Sequence, residues 1–267
     1  MVIFLFLTHL ALGIVFALVF VSREAGVKFF RFNAGLAAVL LVVGLAFLFR
    51  SRPSDLDARF ASSIVALLAS TAAVVIYWAT VGRVLARIRP ALVGVAVVGG
   101  LLAIVLQGVS LAAAGAPMRA LTIVSFLSSA ALLGGACTAM VLGHWYLIIP
   151  SMQVSHLQSI VKLHMISMAI RVAVVGAAVA FALATSFRAA VSAPSFRHYI
   201  TSVGGIFFWQ RVLFGLAGPA VLSYLTWETA KIRSTQSATG ILYVDFFTVV
   251  VGEVLAKYLL LATRVPV

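Results

Sequence analysis

Eight apolar runs follow one another along the chain with almost nothing between them, over residues 2–21, 29–49, 60–81, 91–114, 120–149, 157–187, 200–227 and 240–262. A helix rising about 1.5 Å per residue needs roughly 20 residues to cross a hydrocarbon layer about 30 Å thick, and every run meets that length. Lipid offers no partner to a free N–H or C=O, so a segment that crosses it must satisfy its backbone internally, as a helix does. The expectation is an all-α, polytopic transmembrane bundle of about eight helices. It would form a single membrane domain over residues 1–267, with short loops and no soluble domain.

Composition agrees. Hydrophobic residues make up 64% of the chain and charged residues 9%, with a mean hydropathy of +1.20; soluble domains carry about a quarter charged residues. The net charge of +13 would suggest nucleic acid in a soluble protein. Here the basic residues sit between apolar runs, as in Arg23, Lys28 and Arg31 or Arg83, Arg87 and Arg89, where they anchor helix ends at anionic headgroups. Nucleic acid is therefore not an expected partner. Cys137 has no second cysteine to pair with, which excludes intramolecular disulfides and cysteine-held clusters. The first run lacks a basic n-region and a small-residue cleavage site, so it reads as a retained helix rather than a signal peptide.

Pro53, Pro90, Pro117, Pro150 and Pro194 fall between the runs, whereas Pro219 lies inside the seventh and should kink it. The stretch of Ser234, Thr235, Gln236, Ser237 and Thr239 reads as a capped polar loop before the eighth helix. Loops with Arg23, Lys28, Arg31, Arg83, Arg87, Arg89, Lys231 and Arg233 alternate with loops holding Arg50, Arg52, Arg59, Arg119, Arg188 and Arg197. The positive-inside rule then favours both termini outside, in a bacterial-type inner membrane.

The residues that carry information are the ones hydrocarbon will not solvate. An ionisable group at the centre of a span costs about 2.5–3.5 kcal/mol on insertion scales, so it should face a partner, a cofactor or a cavity. His9, Gln107, His144, His164, Arg171, Gln210, Arg211, Asp245, Glu253 and Lys257 qualify. His144 and His164 lie near the facing ends of two consecutive antiparallel helices. Imidazoles at similar depth could ligate a haem iron or hydrogen-bond a quinone, beside an aromatic wall of Trp145 and Tyr146. Toward the other face, His9, Arg171, Arg211 and Glu253 share a second level. Two guanidinium groups and a carboxylate there could form an ion-pair network or bind haem propionates or an anionic substrate. Asp245 has no obvious basic partner and, with Glu253, would carry protons.

These features lead to the expectation of an integral membrane subunit of a respiratory-type electron-transfer complex, binding haem b, quinone or both. Any enzymatic role would be as the haem- or quinone-binding membrane subunit of an oxidoreductase. Its partners would be the bilayer and other subunits, such as a cytochrome or an iron–sulfur protein. A small-solute or ion transporter using Arg171, Arg211 and Glu253 is the rival, and a structural or assembly subunit is the third class. The layout of about eight helices, internal His and Arg and tiny loops is similar in plan to the membrane anchors of respiratory complexes of the polysulfide-reductase type. No motif accompanies that resemblance, so it transfers no residue roles.

Overall fold

The computed structural model describes residues 1–51, 57–83, 86–148, 153–186 and 196–267. Among these residues there is no strand. The helices are α1 (Val2–Leu18), α2 (Gly26–Ser51), α3 (Ala58–Thr80), α4 (Arg89–Leu111), α5 (Ala116–Ile148) and α6 (Val154–Ser186). A broken segment follows, made of α7 (Phe196–Thr201), α8 (Ile206–Val212) and α9 (Gly218–Lys231), and then α10 (Thr235–Thr263). Among the described residues, seven helical stretches are long and apolar enough to cross a membrane. The chain is an integral membrane helical bundle. The first apolar run forms α1, which is shorter at 17 residues.

Despite its length α1 is an inner helix, packed against α2, α4, α5 and α10. Its approach to α5 is set by glycine. A Cβ on Gly13 would lie 1.9 Å from the Ala130 carbonyl oxygen, and one on Gly134 would lie 1.9 Å from the Gly13 carbonyl carbon. Only a helix pair without side chains at the crossing can pack this closely, which is how membrane helices gain van der Waals contact without a hydrophobic driving force.

Two boundaries depart from the sequence reading. Pro90 and Pro117 sit in the first turns of α4 and α5, not in the connections, because a missing N–H costs nothing where no intrahelical acceptor exists. The polar stretch Thr235–Thr239 is already helical, since its hydroxyls turn back on the helix: Thr239 donates to the Thr235 carbonyl at 2.7 Å. Pro53, Pro150 and Pro194, with Arg52 and Arg188, lie outside the described residues. At the start of α3, Asp57 accepts from the Phe60 N–H at 2.8 Å and from the Ser110 hydroxyl at 2.7 Å, tying α3 to the end of α4. The Ser110 bond, followed by the Phe60 bond, holds the Asp57 carboxyl below the ordinary carboxylate range.

The seventh run is where the backbone is irregular. Between α8 and α9 lies a π-helical turn, Leu213–Ala217, which ends two residues before Pro219. The kink expected from that proline is thus accommodated by one widened turn.

The glycine crossing makes a direct prediction. Gly13→Ala should force α1 from α5 and cost about 1–3 kcal/mol, in the range of overpacking penalties. Gly94→Ala, at a position with nothing within 4 Å, should leave thermal unfolding in detergent unchanged.

Candidate functional site: a buried ionic cluster and two histidine pairs

The centre of the site is a carboxylate. Glu253 projects from α10 and is wholly buried. Its Oε1 accepts from Arg171 Nε of α6 and Arg211 Nη2 of α8, each at 2.8 Å. Its Oε2 accepts from the Ser129 hydroxyl of α5 at 2.5 Å and from Arg171 Nη2 at 3.1 Å. Lys257, one turn further along α10, donates to Ser129 at 2.7 Å and stands 3.8 Å from Glu253. Four helices meet on one acidic group.

Each guanidinium is also held by backbone. Arg171 Nη1 donates to the Ser125 carbonyl at 3.0 Å and the Ser125 hydroxyl at 2.7 Å, and its Nη2 lies 3.5 Å from the Val267 main-chain oxygen. Arg211 Nη1 donates to the Gly215 carbonyl at 2.7 Å. In α-helical register that carbonyl would accept from residue 219, but Pro219 has no N–H to give. Arg211 therefore supplies the donor that proline removes, while its other arm holds Glu253. Glycines make room for it: a Cβ on Gly215 would lie 2.2 Å from Arg211 Nη1 and 2.5 Å from the Gly252 Cα.

Beside this cluster, across one phenyl ring, lies a buried polar pair. Lys257 Nζ sits 5.0 Å from the centroid of Phe126, and the His9 ring packs edge-on to the same ring at 4.7 Å. His9 Nε2 donates to Gln107 Oε1 of α4 at 3.2 Å, and both residues are fully buried.

The second level lies about 12 Å along α10, eight residues before Glu253. Here Asp245 Oδ2 is 2.6 Å from His164 Nε2 of α6, both fully buried. The contact is close without the alignment of a hydrogen bond. Asp245 does have a basic partner, contrary to the sequence reading, because α6 and α10 run in the same direction. His164 and Arg171, seven residues apart, thus meet Asp245 and Glu253, eight apart. Ser167, buried and one turn from each, lies on the same stripe of α6.

The structure brings Arg171, Arg211 and Glu253 together as the sequence suggested, with Lys257 added, and places His9 next to them. Gln210 is only half-buried. His144 is different. It is exposed on α5, with Nδ1 3.0 Å from the Tyr243 hydroxyl. Trp145 packs edge-on against Phe29 at 5.8 Å, and Tyr146 donates its hydroxyl to the Gln153 carbonyl. Three consecutive helical residues point about 100° apart, so His144, Trp145 and Tyr146 cannot form one wall. His144 and His164 do not face one another: His164 is 0% exposed with the Asp245 carboxylate against Nε2, whereas His144 is exposed.

Ser125, Ser128 and Ser129 went unrecognised as site residues, although three serines inside one apolar run are themselves a signal. Compared with known proteins, the chain matches no family model, no curated protein and no solved structure.

The Arg211 bridge is testable as a cycle. Arg211→Leu should destabilise by about 3–5 kcal/mol, leaving Glu253 underpaired in a dry interior. Pro219→Ala, which restores an N–H for the Gly215 carbonyl, should recover about 1 kcal/mol of that loss. Strictly additive unfolding energies in the double variant would show that proline and arginine are not linked.

Proposed function

We propose that this protein is an integral membrane proton-relay subunit, in which His164–Asp245 and the Glu253 cluster pass protons along the inner face of α10. The observation that carries this reading is two fully buried levels of ionisable groups on α10: Asp245 with His164 at 2.6 Å, and Glu253 with Arg171 and Arg211 at 2.8 Å each. Ionisable residues strung through a membrane bundle are the usual equipment of proton pathways.

Asp245, Glu253 and Lys257 fall at i, i+8 and i+12 on α10, one stripe facing α5 and α6. Ser167 stands between the two levels as a hydroxyl stepping stone. The π-helical turn beside Glu253 gives the cluster a neighbouring backbone that can change register, a feature often found at functional sites. On this reading the expected respiratory-type subunit narrows to the proton-handling part of such an assembly. Haem and quinone have no assignment at His144 and His164.

The test is proton flux into liposomes carrying the full chain and an internal pH dye, driven by a potassium diffusion potential. Asp245→Asn and Glu253→Gln should each slow acidification at least about tenfold, the scale of losing a proton-transfer group. His144→Ala should leave the rate unchanged. Flux no faster than in protein-free liposomes would overturn the proposal. So would a reduced-minus-oxidised haem b band that disappears in His164→Ala.

A further inference from the structure

Away from the ionic cluster, a cleft of about 630 Å³ opens between α1, α2, α3 and α4. Val15, Phe30 and Val93 form part of its apolar wall, and Arg23, Tyr77 and Arg89 belong to its lining. The inner helix α1 stops at Leu18, and Val19 and Val21 beyond it line the cleft together with Val81, just past the end of α3, and Pro90, in the first turn of α4. From Arg89 to Ala96, the deepest lining residue on α4, the helix descends about 10 Å, so the cleft runs from the membrane interface into the acyl layer.

Charge says what fills it. Among the described residues, none of the lining is acidic. Glu24, next to Arg23, is drawn off by His156 of α6 at 2.6 Å. Arg83 and Arg87, in the connection that leads to Arg89, are exposed. Arg89 is braced by the Thr80 carbonyl at 3.3 Å, which fixes the guanidinium at the end of α3. An apolar slot open at the interface and rimmed by guanidinium groups matches one chemical class: an acyl chain bearing an anionic head. We infer that this cleft is a binding site for a single anionic phospholipid, its phosphate between Arg23 and Arg89 and an acyl chain between α1 and α4. Tyr77, at the end of α3, adds a hydroxyl at headgroup level. The site is independent of the proton-relay reading, since it shares no residue with the cluster.

Native mass spectrometry of the full chain in detergent, with added dioleoyl phosphatidylglycerol or phosphatidylcholine, tests this. The expected result is one tightly held phosphatidylglycerol, preferred about tenfold over phosphatidylcholine, a difference of about 1.4 kcal/mol. Arg23→Gln with Arg89→Gln should abolish the preference. Val93→Phe, which keeps both arginines but narrows the slot, should lower occupancy by a similar factor; Ala34→Leu on the opposite wall repeats that test should Val93→Phe fold poorly. Several results would overturn the inference: a preference that survives the double substitution, or undiminished occupancy in folded narrowed variants, which would mean headgroup attraction to the rim alone. Displacement by equimolar palmitate would reassign the site to free fatty acids, and displacement by uncharged decylubiquinone would reassign it to a quinone. Either outcome would end the phospholipid assignment.

Discussion

One carboxylate holds the interior of this bundle in register. Glu253 accepts from two guanidinium groups and a hydroxyl carried by three other helices, in surroundings where an unpaired charge is very costly. Such a bond set fixes height as well as proximity: α5, α6, α8 and α10 can slide against one another only by breaking it. The apolar contacts between those helices lack that power, since lipid tails compete for the same surfaces on equal terms. Packing supplies the attraction. The ionic cluster supplies the alignment, and the second level at His164 and Asp245 repeats it further along the same two helices.

The irregular stretch from Leu213 to Ala217 belongs to the same arrangement. A proline in a membrane helix leaves a carbonyl that must find a donor. The guanidinium of Arg211 reaches along its own helix to provide one, so the backbone break and the Glu253 cluster are a single hydrogen-bonded unit. Gly215 and Gly252 let α10 approach close enough for both bonds. A change at Glu253 therefore acts on the break through one side chain, without any intervening chain of contacts.

Much of this was readable in the sequence, and the reasons differ by residue. Runs of apolar residues bounded by arginines and prolines gave the spans because hydropathy and length act locally. Arg171, Arg211 and Glu253 stood out because their depth follows from counting residues. Pairing is harder, since rotation about a helix axis is set by neighbours. Asp245 looked solitary because its partner, His164, is remote in sequence and on a helix whose facing could not be deduced. The facing of His144 was illegible for the same reason: at similar depth to His164, it points outward to Tyr243 while His164 points in. The serines near residue 125 were overlooked because hydroxyls are easily buried against their own helix, and only Arg171 from α6 and the Glu253–Lys257 pair from α10 engage them.

The Gly13–Gly134 crossing bears on how the chain reaches the membrane. The two glycines are separated by α2, α3, α4 and half of α5, and His9 on the same helix finds Gln107 only after α4 is made. During synthesis α1 precedes α5, so it can pair early with α2 while its glycine face stays open. It waits with a histidine and a bare glycine seam, and its final seat is completed late, when α5 arrives. Biogenesis of this protein must therefore tolerate, or shelter, an inner helix that spends its first moments on the outside.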